Sequence, residues 1–334
     1  MRHINIPIFI PHLGCPNQCV FCNQKRISGV SRFSAEDVVP IIENSLSTIE
    51  NDAEVEIAFF GGSFTGIDRE LMISLLEIAH SYIKRGLVTS IRCSTRPDYI
   101  DGEILDILKR YGVKTIELGL QSSSDTVLKM SKRGHNFEAE LKSCQMIVEN
   151  GFNLVGQMMI GLPYSTPESE IETARFIASV GAVAARIYPT VVFADTELCD
   201  MTLGGSYSAL TLDEAIMRSA AALEIFIDAG VEVIRIGLQQ NENLSSSESY
   251  VAGPNHPGLG ELVIGEVYYN RIRNKLLDKG LSGDENIKVL VSRGALSKAV
   301  GQNKRNKLRL CEEYKNISFG EAEGILEYEI VLKM

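Results

Sequence analysis

The chain reads as an α/β protein built on a partial (β/α)6 TIM-like barrel with a small C-terminal α/β extension. Short apolar runs alternate with helix-length amphipathic stretches through roughly the first 190 residues. Six such pairs in succession predict a parallel sheet wrapped by helices, either an open barrel or a doubly wound sheet. Each predicted strand then runs into a glycine or polar motif. In (β/α) barrels the chemistry sits on loops at the carboxyl ends of the strands, so this placement favours the barrel and brings the motifs to one mouth.

The first strand, 4–10, feeds directly into a loop carrying Cys15, Cys19 and Cys22. Further strands are predicted at 54–60, 89–93, 115–120, 153–160 and 185–191, with helices at 35–50, 69–84, 101–111, 124–130, 138–150 and 167–179. After about residue 200 the character changes to a helix at 211–229, a strand at 231–238 and a polar loop at 239–260 expected to lie over the mouth. This divides the chain into a core barrel, 1–205, and an extension, 206–334. No tandem repeat is present.

With 45% hydrophobic and 23% charged residues, the 334-residue chain has the composition of a soluble globular protein with a large core. It contains no long uncharged apolar stretch, and its first residues lack the apolar core of a signal peptide, so a cytoplasmic protein is expected. A net charge of -10 argues against a uniformly basic nucleic-acid coat.

Cys15, Cys19 and Cys22 stand as Cys-x3-Cys-x2-Cys, and three close thiolates without a fourth suit an iron-sulfur cluster with one iron left open to a small molecule. With His12 the set becomes a Cys3His zinc site, although structural zinc sites usually split their ligands into two separated pairs. Seven cysteines is an odd count, as expected in a reducing cytosol rather than in a disulfide framework. Cys93, Cys144, Cys199 and Cys311 read as buried structural thiols.

Phe60-Gly61-Gly62-Ser63-Phe64 follows the second strand, where adjacent glycines let the backbone approach a ligand closely. Ser94-Thr95-Arg96-Pro97-Asp98-Tyr99 follows the third, and either Asp98 or Asp101 starts the next helix. Gln121, Arg133 and Gln157 are polar groups in or beside apolar strands and need partners, from the sheet or from a ligand. Glu117 needs one too, an internal Arg or Lys being the simplest. Tyr188 sits at a strand end where it faces either core or substrate.

The cysteine spacing resembles that of radical S-adenosylmethionine enzymes. Taken with Thr95-Arg96-Pro97-Asp98-Tyr99, Glu117-Leu118-Gly119-Leu120-Gln121-Ser122, Arg133-Gly134-His135, Gly161-Leu162-Pro163, Ile187-Tyr188-Pro189-Thr190 and Gly260-Glu261-Leu262-Val263, the series resembles the radical domain of Elongator protein 3 over roughly residues 3–265. The resemblance implies a radical S-adenosylmethionine barrel. It implies a 4Fe-4S cluster on Cys15, Cys19 and Cys22, and S-adenosylmethionine held by Phe21, Gly61, Gly62, Ser63, Gln121, Arg133 and Gln157. It further implies reductive cleavage to a 5'-deoxyadenosyl radical, a reductant such as flavodoxin or ferredoxin, and tRNA or other RNA as substrate. The residues beyond the resemblance are too few for that family's acetyltransferase domain, so the acyl group comes from a partner or the substrate differs. Two alternatives stand beside it: a small-molecule substrate, in the manner of oxygen-independent coproporphyrinogen oxidase, and a non-catalytic RNA-binding iron-sulfur protein.

Residues 288–309 carry Lys288, Arg293, Lys298, Lys304, Arg305, Lys307 and Arg309 and no acidic residue, a local reversal of sign pointing to an anionic partner. The expected order over 285–334 is strand, short helix, Gly301-Gln302-Asn303-Lys304, helix, strand. It distantly resembles a KH module with Lys304 in place of the second glycine of the GXXG loop. Lys298, Lys304, Arg305 and Lys307 are its candidate RNA contacts; a solvated basic helix packed on the barrel is the other reading.

Overall fold

Apolar side chains recurring on every second residue of the strands face a layer of helices whose own apolar stripes recur at helical spacing. The computed structural model describes residues 2–10, 15, 19–22, 33–49, 53–238, 249–281 and 283–334. Its central sheet begins with β1 (Arg2–Ile10), β2 (Ala53–Gly61), β3 (Ser90–Thr95), β4 (Val113–Gln121), β5 (Asn153–Ile160) and β6 (Ala184–Pro189). A short β7 (Val192–Phe193) leaves the sheet, and β8 (Glu232–Ile236) completes it beside β6. All seven strands are parallel to their neighbours, and the sheet curls as a half-barrel. The sequence reading counts six strands in the barrel; the seventh comes from the segment assigned there to the extension.

The outer layer comprises α1 (Val38–Leu46), α2 (Arg69–Lys84), α3 (Gly102–Arg110), α4 (Asp125–Met130), α5 (Phe137–Glu149) and α6 (Pro167–Ser179). Then follow α7 (Glu197–Leu203) and α8 (Leu212–Ala229). Asp68 and Asp101 cap α2 and α3 by accepting from first-turn backbone amides, and Thr211 with Glu214 forms a capping box on α8. Fully buried Ile8, Ile57, Phe59, Ile91, Ile116 and Leu154 meet Met72, Leu75, Leu105, Ile147 and Ile177 from the helices. Each such side chain contributes about 1.5–3 kcal/mol of burial.

Part of the polar loop expected at 239–260 lies outside the described residues. Its far end holds β9 (Tyr250–Ala252), antiparallel to β7, and α9 (Leu259–Asp278). Sequence periodicity misses this 20-residue helix because its apolar residues serve two cores. Leu259, Val263 and Val267 join the barrel core, while Tyr268, Tyr269, Ile272 and Leu276 join a second one. That second core lies under a three-stranded sheet of β10 (Asn286–Val291), β11 (Asn316–Glu321) and β12 (Val331–Lys333), with α10 (Leu296–Val300) and α11 (Arg305–Glu313). The strand–helix–turn–helix–strand order expected over 285–334 is present, with β10 and β11 parallel. Among the described residues no helix is long and apolar enough to cross a membrane.

Candidate active site

Groups that follow β3 and β4 reach Cys19, and the end of β2 abuts the end of β1. Gly61, at φ 117, ends β2 so close to β1 that a Cβ there would lie 2.1 Å from the Ile10 carbonyl oxygen, which only glycine avoids. Gly62 and Ser63 follow, and the Ser63 hydroxyl is buried. Phe64 stacks on Phe59 at 4.6 Å between centroids, and Thr65 hydrogen-bonds Thr95 at 2.6 Å, fixing this turn to the end of β3.

Of the cysteines, Cys19 is buried, and Cys15 and Cys22 are partly so. The Cys22 amide donates to the Cys19 carbonyl at 3.0 Å, the Val20 amide to Ser131, and the Leu198 amide to Val20. Phe21 packs with Val20 against Val192 and Leu198. Arg133 donates from Nη1 to Cys19 Sγ at 3.3 Å, with Arg96 Nη1 behind it at 3.8 Å. Cys15 and Cys19 both lie within electrostatic reach of Arg96. Among the described residues no three His, Cys, Asp or Glu side chains are gathered as a metal site, and His12 lies outside those residues.

Sequence reasoning does not single out Arg96 itself. Its guanidinium forks onto Asp98 at 2.9 Å twice and also donates to the Arg133 carbonyl. Asp98 thus serves this pair, while Asp101 is the helix cap. Burial would raise the Asp98 carboxyl, but the facing His135 ring at 3.6 Å and the hydrogen-bonded Arg96 outweigh it and hold it well below the usual range. His135 in turn meets Glu140 at 3.0 Å, and burial pushes that carboxyl up to about 7.

Gln121 ends β4 at φ 73, beside a register shift in the ladder to β5. A Cβ on Gly119 would come within 3.0 Å of Gln121 Nε2 and 3.5 Å of Arg133 Nη2, so that glycine opens the space both side chains share. Gln121 Oε1, Arg133 Nε and Ser63 Oγ are buried and have no hydrogen-bond partner among the described residues. Buried polar atoms without partners are costly and call for a ligand. Cys19 under two guanidiniums, with Cys15 and Cys22 close by in sequence and these three orphaned atoms beside it, suits a cluster with a polar small molecule on its open iron.

Deeper in the half-barrel lies a charged wall. Glu117 is fully buried and accepts from Arg92 at 3.0 Å, Arg186 at 2.9 Å and Gln157 at 2.9 Å. Its required partner is therefore a pair of arginines, and Gln157 is engaged within the wall. Glu56 accepts from Arg92 and Ser90, at 2.8 and 2.5 Å, and these contacts override burial to lower its carboxyl. Tyr188 lies on this side, its hydroxyl raised by burial. Cys93, Cys144 and Cys199 are buried as structural thiols, and burial pushes Cys144 up to about 12.

Of the candidate RNA contacts, Lys298 pairs with Glu327 at 3.2 Å and Arg305 with Asp213 at 2.9 Å. Lys304 and Lys307 have no ion pair among the described residues, and Lys304 takes φ 61 at the position where the KH loop has glycine. A surface groove of about 1070 Å³ runs along α9 away from the cysteines. Its arginines Arg271, Arg273 and Arg309 are already paired with Glu224, Glu313 and Glu266.

A half-barrel with these groups at the carboxyl ends of its strands defines an enzyme that works through a bound cofactor. The model of the Radical SAM superfamily matches residues 9–177, and that of the Radical_SAM C-terminal domain matches residues 183–269. The chain belongs to the radical SAM superfamily, whose members use a 4Fe-4S cluster and S-adenosylmethionine. It is 31% identical over 223 residues to an uncharacterized protein of Methanocaldococcus jannaschii, covering 63% of this chain and 67% of that one. It is homologous to the radical domain of Elongator complex protein 3, at 28% identity to the Homo sapiens protein over 50% of this chain and 35% of that one. To a tRNA uridine(34) acetyltransferase of Methanocaldococcus infernus it is 31% identical, over 36% of this chain and 23% of that one. The chain thus spans only about a third or less of these last two proteins. The N-terminally truncated archaeal Elp3 of Methanocaldococcus infernus shares the fold, with a TM-score of 0.61 at 21% identity over 84% of this chain and 63% of that one.

Proposed function

We propose that this radical SAM enzyme modifies RNA, with tRNA as the preferred substrate, and that Cys15, Cys19 and Cys22 hold its 4Fe-4S cluster. When bound, the cluster and S-adenosylmethionine supply the reducing electron and a hydrogen-abstracting organic radical. The observation carrying this reading is the convergence of Arg133 and Arg96 on Cys19 beside the orphaned Gln121 Oε1 and Arg133 Nε. Arg133 is suited to a carboxylate, Gln121 and Gln157 to ribose hydroxyls, and the Gly61–Gly62–Ser63 backbone with Phe21 to the methionyl and adenine ends. Asp98 and His135 hold Arg96 in place.

RNA as substrate is supported by the relatives' printed activities and by Lys304 and Lys307, with Lys298 and Arg305 exchanging their present carboxylates for phosphates. A flavodoxin or ferredoxin is the proposed reductant, and a reducing cytoplasm suits seven cysteines with no disulfide among them. Anaerobic reconstitution, dithionite reduction and quantitation of 5'-deoxyadenosine in the presence of total tRNA tests the chemistry. Wild type is expected to form product and Cys19→Ala to form none; no product from wild type with a filled cluster refutes the reading. Lys304→Glu with Arg305→Glu is expected to weaken tRNA binding at unchanged iron content, and unaltered affinity removes the basic segment from the RNA site.

A further inference from the structure

Arg186 on β6 stands directly opposite Arg235 on β8. A shift in the ladder produces this pairing: Ala185 faces Val233, but the next residue, Arg186, faces Arg235, skipping Ile234. In an unbroken ladder Arg186 would face Ile234, and Arg235 would fall on the other face of the sheet. Bulges of this kind re-aim side chains and occur preferentially beside functional sites.

Like charges opposite each other across a ladder are destabilising. Only one of this pair has a counter-charge: Arg186 meets Glu117 at 2.8 Å, whereas Arg235 has no carboxylate within ion-pair distance among the described residues. Glu117 is already shared with Arg92, whose other partner is Glu56. Among the described residues the wall therefore holds three guanidiniums against two carboxylates. Tyr188, two residues beyond Arg186 on the same face, receives Arg186 Nη1 at the long distance of 3.5 Å and feels the charge of Arg235. Its hydroxyl is thus left able to donate.

We propose that Arg235, with Arg186 Nη1 and the Tyr188 hydroxyl, forms a binding site for an oxyanion of the substrate, a phosphate or a carboxylate. Guanidinium forks with a hydroxyl donor are the donor set such groups require. The site lies toward the sheet edge opposite β1, the strand that leads into the cysteine loop. An anion bound there would pin the substrate while the remainder reaches the cofactor. This rests on the reading that substrate occupies the concave side of the half-barrel, but anion binding itself needs no turnover.

Isothermal titration of the reconstituted full chain with inorganic phosphate, and separately with malonate, tests it. Wild type is expected to bind one of them saturably. Arg235→Gln should weaken that binding at least about tenfold, Arg235→Lys less, since a point charge replaces the fork. Tyr188→Phe should weaken it by a smaller factor, and Arg110→Gln, on an outer helix, should leave it unchanged. Tighter phosphate identifies a phosphorylated substrate and tighter malonate a carboxylate one; either supports the site. Equal affinity in Arg235→Gln and wild type, or no saturable binding by folded wild type, overturns it. A failed 5'-deoxyadenosine assay leaves this result untouched, so the two readings fail separately.

Discussion

Glu117 shows what a single buried charge does to its surroundings. It is fully enclosed and balances two guanidiniums, so Glu117→Ala leaves Arg186 without its carboxylate and Arg92 with Glu56 alone. A loss of about 3–5 kcal/mol is expected, read as the shift in a urea unfolding curve. Asp98 and Glu140, at the two ends of the His135 contact, respond to pH in opposite senses. The Asp98 carboxyl titrates below its ordinary value of 3.8, so its contribution is complete above that pH and is lost as the medium becomes more acid. Asp98→Asn should therefore flatten the acid limb of the stability curve. Glu140 binds its proton more tightly folded than unfolded, so its effect is a fall in stability as pH rises from 4.5 to about 7, level beyond. Glu140→Gln should abolish that slope; a slope retained in the variant would assign it elsewhere. At this scale the sequence discloses needs rather than solutions. An acid on an apolar strand announces that Glu117 requires a cation, but Arg92 lies 25 residues before it and Arg186 69 after. Arg96 and Arg235 carry no local signal, since their roles depend on a loop folding over one and a bulge turning the other.

The packing of β5 against α6 is set by Gly156, where a Cβ would meet Ile177 at 2.5 Å. Gly156→Ala forces the helix outward or Ile177 off its rotamer, at about 1–3 kcal/mol. Adding Ile177→Val should recover part of that, so the double variant is expected to lose less than the sum of the singles in thermal unfolding. Asp101→Ala removes the cap of α3 and should cost about 1 kcal/mol. Elements with one wet and one dry face, such as α2 and α3, are legible because their apolar stripe is single. The long α9 is not, because its two apolar faces erase the period, and β8 is legible as a strand while its register is not.

The barrel and the C-terminal sheet share α9, whose Val267 lies in one core and Ile272 in the other. Loss of either core strips half of that helix of its packing, so a single calorimetric transition is expected for both. Ile272→Ala, about 2–5 kcal/mol, should move that one transition rather than split off an early one. The fold class is legible in the sequence because a repeated strand–helix alternation constrains topology more than any residue does. The place of the seventh strand in that sheet is not, because it is separated from the sixth by β7, α7 and α8. Among the described residues the central sheet does not close on itself: β1 pairs only with β2, and β8 only with β6. An unpaired margin ordinarily recruits a foreign strand, and Pro7, in the middle of β1, withholds one of the amides such recruitment needs. The seam can therefore stay open without inviting aggregation. A long polymer can enter such a cleft sideways, anywhere along its length, where a closed cylinder would have to be threaded from an end.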